Sequence, residues 1–150
     1  MRDLFAVDSL IKYFIFLSVI LNDGDVNLFM IKIRQVIAFD IVMSQYIDFL
    51  HEVFELFGVI TTRRMFGGYG IYHQGLMFGL VADDELYLKV DKTSISVFDE
   101  RNLAAFEYDK NGKVMQMSYH KAPEEIFDEP EQANYWANLA YDAAIRANKK

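Results

Sequence analysis

The side chains best equipped for recognition are the adjacent pair Arg63-Arg64. A guanidinium presents a planar fork of donors that fits phosphate or carboxylate oxygens. In an extended segment two neighbours point to opposite faces, so at least one of the pair must be exposed or paired with an acid. Lys89 and Lys121 are cations that could join them on a partner-binding surface, although the sequence does not bring the four together. The plain alternative is an ion pair with the chain's own carboxylates.

A second constellation is Ser118-Tyr119-His120, where alternation in a strand puts a hydroxyl and an imidazole on one face and the tyrosine on the other. Neither an acid partner nor an oxyanion donor can be named for it, so a nucleophilic site is not expected. The glycine-rich run Gly67-Gly68-Tyr69-Gly70 lacks the spacing of a dinucleotide or Walker loop and leads into a further strand, so it reads as a structural bend. A small-molecule pocket or enzyme site near this bend and Ser118/His120 is the alternative functional reading. Only His51 and Glu55 have the i, i+4 spacing that puts two ligands on one helical face. A metal centre normally needs three or four, so no metal or cofactor is expected.

Composition narrows the options. With 15 basic against 22 acidic residues the 150-residue chain carries a net charge of −7. It therefore lacks the global positive field that drives non-specific DNA binding, and direct DNA affinity is expected to be weak or absent. A 53% hydrophobic and 15% aromatic content can fill a core without staples. The absence of cysteine excludes disulfides and thiol chemistry and fits a reducing compartment, with the cytoplasm as the expected location. The longest apolar stretch, Leu10 to Leu21, is twelve residues broken by Lys12 and Ser18. It falls short of the roughly 20 residues a membrane span needs, and no small-x-small cleavage site follows it.

These candidates need a scaffold. Tyr46, Phe49, Leu50, Val53, Phe54 and Phe57 repeat at helical spacing up to Gly58, a natural helix stop. A β-branched segment from Val59 to Phe66, a short strand Ile71 to His73, and the runs Leu76 to Ala82 and Glu85 to Val90 predict an antiparallel meander, with turns at Gln74-Gly75 and Asp83-Asp84. Thr93 or Ser94 can cap a short helix ending near Asp99. Asn111-Gly112 predicts a type I′ hairpin between Phe106–Tyr108 and Val114–Tyr119. Pro130 opens a last helix in which Ala133, Trp136, Ala137, Ala140, Ala144 and Ala147 share a face. The methionines Met65, Met77, Met115 and Met117 read as core filler beside aromatic neighbours. The expected fold is α+β: an antiparallel sheet of about five or six strands packed against N- and C-terminal helices.

Character changes near Met43, before which Gly24 is the sole glycine and no proline occurs. Val26 to Val42 shows no clear period, whereas Ser44 is a suitable N-cap for the helix that follows. The expected organisation is an N-terminal extension, residues 1–42, lying upstream of a native start at Met43, and one domain, residues 43–150.

Arg63-Arg64-Met65-Phe66-Gly67-Gly68-Tyr69-Gly70-Ile71-Tyr72 resembles the N-terminal domain of the TfoX/Sxy family, bacterial regulators of natural competence. The blocks 76–83 and 86–91, Met117-Ser118-Tyr119 and the later Pro123 are similar to the family's further blocks in the same order. The resemblance covers about Gln45 to Ala147. It implies a small α+β domain with an antiparallel sheet, in which Met65, Phe66, Gly67, Gly68, Gly70, Met117, Ser118, Tyr119 and Pro123 are structural motif residues. It further implies a non-enzymatic role in transcriptional regulation of competence through protein–protein interaction, with the cyclic-AMP receptor protein or RNA polymerase as partner. The family's full-length regulators carry a second, helical domain to which the resemblance does not extend, so the expected function is that of an interaction module.

Overall fold

The computed structural model describes residues 25–149 apart from Phe66, with side chains from residue 28 onward. The apolar stretch Leu10 to Leu21 lies outside the described residues. The chain divides into two compact units, Met1–Ser44 and Gln45–Lys150.

In the first unit every described residue belongs to helix α1 (Asp25–Val53). Ser44 is therefore interior to a helix, not its N-cap. The segment before it contains no proline and no glycine after Gly24, so nothing breaks the backbone hydrogen-bond ladder at that point. Leu28, Phe29, Val36, Phe39 and Val42 remain exposed along this part of α1. Among the described residues no helix is long and apolar enough to cross a membrane.

The second unit begins with the end of α1, where Ile47, Leu50 and Val53 are buried at helical spacing. The helix loosens after Val53, and Gly58 at φ +134 closes it by donating to the Phe54 carbonyl. Six strands follow: β1 (Thr61–Met65), β2 (Gly68–His73), β3 (Leu76–Ala82), β4 (Glu85–Lys89), β5 (Ala105–Lys110) and β6 (Lys113–Lys121). They form one antiparallel sheet in the order β1-β2-β3-β4-β6-β5. The expected α+β class is what the chain adopts, with a sheet of six strands.

Turn chemistry sets the register. Gln74-Gly75, Asp83-Asp84 and Asn111-Gly112 all have both central residues at positive φ, the twist that matches a two-residue hairpin. Asp109 supports the last of these by accepting from the Gly112 N–H at 2.9 Å. The bend at the glycine run is confined to Gly67, at φ +81, while Gly68 and Gly70 already belong to β2. The bulge lies one step later, opposite Ile71 and Tyr72, where Phe78 is the extra residue on β3. That residue is fully buried, edge-on to Phe54 at 5.5 Å and tilted against Phe57 at 5.1 Å.

Helix α3 (Pro130–Asn148) lies over β3 and β4 and buries Ala133, Trp136, Ala137, Ala140, Ala143 and Ala144, small enough apart from the tryptophan to bring it close to the sheet. Ala147, expected on this face, is exposed at the end of the helix. Ile71, Val81, Leu86 and Leu88 answer from the sheet. A short α2 (Ile95–Asp99) contributes Phe98, whose ring meets Trp136 edge-on at 4.9 Å. Ser94 sits at the N-cap of α2 without a side-chain capping bond. The capping is done by Asp91, whose Oδ1 accepts from the backbone N–H groups of Thr93 and Ser94 at 3.0 and 3.1 Å. Between β6 and α3 the 3₁₀ turn Glu124–Phe127, which sequence periodicity did not predict, buries Ile126. Pro123 is the buried N-cap of that turn.

Candidate functional site

Strand alternation and register divide the basic candidates. Leu86 and Leu88 face the helices, so Glu85, Tyr87 and Lys89 face the other way. The pairs Leu80↔Tyr87, Lys89↔Tyr119, Tyr87↔Lys121, Tyr72↔Met77 and Arg63↔Gly70 extend this opposite face across five strands. Arg63, Lys89 and Lys121 therefore stand on one face. Arg64, registered with Tyr69, belongs to the other.

Each of the three cations has a partner on that face. The Arg63 guanidinium lies over the Tyr72 ring at 5.0 Å, and the Lys89 ammonium over the Tyr119 ring at 4.7 Å. Burial pushes the Lys89 pKa down, partly offset by Asp91. Lys121 donates to Glu85 Oε1 at 2.8 Å, which raises its pKa. Tyr119 is buried, and burial with the nearby Tyr72 pushes its phenol up to about 12. Tyr87 meets Phe106 edge-on at 5.0 Å.

The motif residues explain how this face is built. Gly68 has no room for a side chain, since a Cβ there would lie 2.0 Å from the Val81 carbonyl oxygen. At Gly70 the missing Cβ is replaced by the Met65 sulfur at 2.8 Å, the Tyr72 ring edge at 2.9 Å and the Met77 sulfur at 3.2 Å. These thioethers fill space, as their type predicts. Met115, by contrast, is 42% exposed on the β5–β6 hairpin and is not core. Phe66 lies outside the described residues.

The Ser118 and His120 candidates meet in a cavity of about 650 Å³ at the junction of β4, β6, the start of α2 and the end of α3. Lys89, Lys92, Arg146 and Asp91 line it, together with Ile95 and Met117. The glycine bend is not part of its wall, because β2 lies two strands away from β4. The signal for Lys92 and Arg146 was absent from the sequence, where each reads as a solvated cation. Arg146 engages Asp91 through two bonds, Nε to Oδ2 at 2.5 Å and Nη2 to Oδ1 at 3.1 Å. This pair holds the Asp91 carboxyl well below the ordinary carboxylate range, helped by the Ser94 and Thr93 donors. His120 Nδ1 lies 2.8 Å from the Leu103 carbonyl, which can only accept, so Nδ1 carries a hydrogen and donates it there. His73 is engaged similarly by the Val59 carbonyl at 2.7 Å, and His51 lies on the exposed side of α1. Among the described residues no three histidine, aspartate or glutamate side chains converge as metal ligands.

The family profile described as the TfoX N-terminal domain matches residues 52–144. The chain belongs to this family. The TfoX-type domain is 29% identical over 101 residues to the DNA transformation protein TfoX1 of Aliivibrio fischeri, covering 67% of this chain and 44% of that protein. It is 24% identical over 95 residues to the protein Sxy of Escherichia coli K12, covering 63% of this chain and 46% of that protein. The match thus spans less than half the length of either relative.

Proposed function

We propose that this TfoX-type domain is a non-enzymatic protein-interaction module in the regulation of bacterial competence, acting in the cytoplasm through a protein partner. The observation that carries the reading is the sheet face on which Arg63, Lys89 and Lys121 stand among Tyr72, Tyr87, Phe106 and Tyr119. Arginine and tyrosine supply large rigid contacts at protein interfaces, and here both cations stacked on rings are preorganised. A basic strip on a chain of net charge −7 suits a partner surface bearing carboxylates, with the overall charge opposing nucleic acid. The relative named as a DNA transformation protein supports the competence context. The partner proposed is the cyclic-AMP receptor protein or RNA polymerase, as the family implies.

The test is affinity capture from the native bacterium with the full chain, comparing wild type with Arg63→Glu and Lys121→Glu. Recovery of either partner by wild type, reduced at least tenfold by the variants with unchanged circular dichroism, is the expected result. Equal recovery by wild type and variants, or recovery of neither protein, refutes the proposal.

A further inference from the structure

Helix α1 before Met43 has two unlike sides. At the α-helical repeat of about 3.6 residues per turn, Met30, Ile33, Ile37 and Asp40 fall on one side, and all four are half-buried. On the opposite side runs the stripe Leu28, Ile31, Gln35, Phe39 and Val42, all exposed. Its apolar members stand 61%, 48%, 49% and 57% open to solvent, where a helix normally shows polar residues. The charges of Asp25, Lys32, Arg34 and Asp40 cancel, so this stretch is locally neutral on a chain of net charge −7. The family match begins at residue 52 and assigns it nothing.

The stripe is symmetric. Its successive steps of 3, 4, 4 and 3 residues read the same in both directions from Gln35. A two-fold axis at Gln35 therefore sets a second, antiparallel copy with its Val42 against Leu28, its Phe39 against Ile31 and its Gln35 against Gln35. Bulky apolar pairs close both ends. The central amides can each donate and accept, and a polar residue in such a seam fixes register and orientation. A large side chain about half exposed offers roughly 100 Å², so the four apolar ones supply about 400 Å² per copy. Gln35, Ala38 and the Lys32 stem at the margins bring this to about 600 Å². Two copies then bury about 1,200 Å² in total, the lower bound for a stable specific interface.

We propose that this stripe is a homodimer seam, on which α1 of a second copy packs antiparallel about a two-fold axis at Gln35. A membrane surface is the poorer occupant, since it favours a strongly charged, lysine- and arginine-rich face beside the apolar one, and this stretch has no net charge. The seam uses none of Arg63, Lys89 or Lys121, so dimerisation and partner capture can succeed or fail separately.

The experiment is sedimentation equilibrium of the full chain. A dimer of 2 × 17.5 = 35 kDa is expected, with a Kd of about 10 μM for an interface of this size. The double variant Ile31→Glu, Phe39→Glu should weaken it at least 100-fold with unchanged circular dichroism. Val36→Glu, 60% exposed on the flank of the helix, should leave it intact. Orientation is read by crosslinking, because the chain has no cysteine of its own. Gln35→Cys should join to itself through a short thiol-specific crosslinker. Leu28→Cys alone should not, its two copies lying about 2 × 7 × 1.5 = 21 Å apart along the helices, but a mixture of Leu28→Cys and Val42→Cys should. A monomer at 100 μM, leaving the stripe to a lipid surface or a different protein, overturns the proposal. So does an assembly larger than two, dissociation by Val36→Glu, or self-linking of Leu28→Cys as fast as Gln35→Cys.

Discussion

Replacing Gly68 by alanine should be far more damaging than replacing its neighbour Gly67, although Gly67 has the less permissive backbone. A Cβ at Gly68 would stand 2.0 Å from the Val81 carbonyl oxygen, whereas contacts under 3.0 Å are essentially never made. Relief requires a shift of at least 3.0 − 2.0 = 1.0 Å between backbones. A hydrogen bond of about 2.9 Å lengthened by that much is no longer a bond. Losing roughly two bonds at this end of the β2–β3 ladder, with a carbonyl left poorly satisfied, costs about 3 kcal/mol. Gly67 at φ +81 has nothing within 4 Å of its would-be Cβ, so alanine there pays only the left-handed backbone penalty. That penalty is about 1–2 kcal/mol. With a urea m-value of about 1.5 kcal/mol/M, Gly68→Ala should lower the unfolding midpoint by roughly 2 M and Gly67→Ala by roughly 1 M. Urea titrations followed by circular dichroism measure both. A Gly68→Ala midpoint equal to or above that of Gly67→Ala would refute the reasoning from the Val81 contact.

Three further outcomes follow from the core and its ion pair. Asp91→Asn keeps the Oδ1 acceptor that caps α2 but removes the charge facing Arg146. Because the folded carboxyl is held low, its stabilisation is present above the ordinary carboxylate range and is lost as pH falls below about 4. The difference in unfolding free energy between wild type and variant, read from urea titrations, should therefore shrink from pH 7 to pH 3, starting from about 1 kcal/mol once solvent screening of the half-exposed Arg146 is allowed for. A constant difference across that range would contradict it. Trp136, the sole tryptophan, is buried with its Nε1 unpartnered, so Trp136→Phe should cost less than about 1.5 kcal/mol and Trp136→Ala about 3–5 kcal/mol. Its fluorescence should shift to longer wavelength only on unfolding. Among the tyrosines of the described residues, Tyr46 and Tyr119 should ionise last, near pH 12, in a spectrophotometric titration, and Tyr119→Phe should remove one late-titrating group.

The hairpins were legible because Gln74-Gly75, Asp83-Asp84 and Asn111-Gly112 state their turn geometry locally. The start of α1 was not: Ser44 has the chemistry of a cap, but capping residues also occur inside helices where nothing interrupts the ladder. Asp91 escaped as the true cap of α2 because its Oδ1 reaches the N–H groups of Thr93 and Ser94 from outside the helix. The opposite orientations of Arg63 and Arg64 followed from alternation alone. Their relation to Lys89 and Lys121 required the pairing of β4 with β6, which skips β5 and leaves no local mark. Lys92 and Arg146 could not be linked by sequence either, since the ends of α2 and α3 meet only through the packing of both against the sheet.

That skipped pairing has a dynamic consequence. The meander β1–β4 and the hairpin β5–β6 are joined in the sheet by three register pairs, Tyr87↔Lys121, Leu88↔His120 and Lys89↔Tyr119, whereas β1 and β2 share five. This seam is a line along which the sheet can part while each piece keeps its own ladder, an opening cheaper than global unfolding. Amide exchange at residues 87–89 and 119–121 would then report the parting of two bodies.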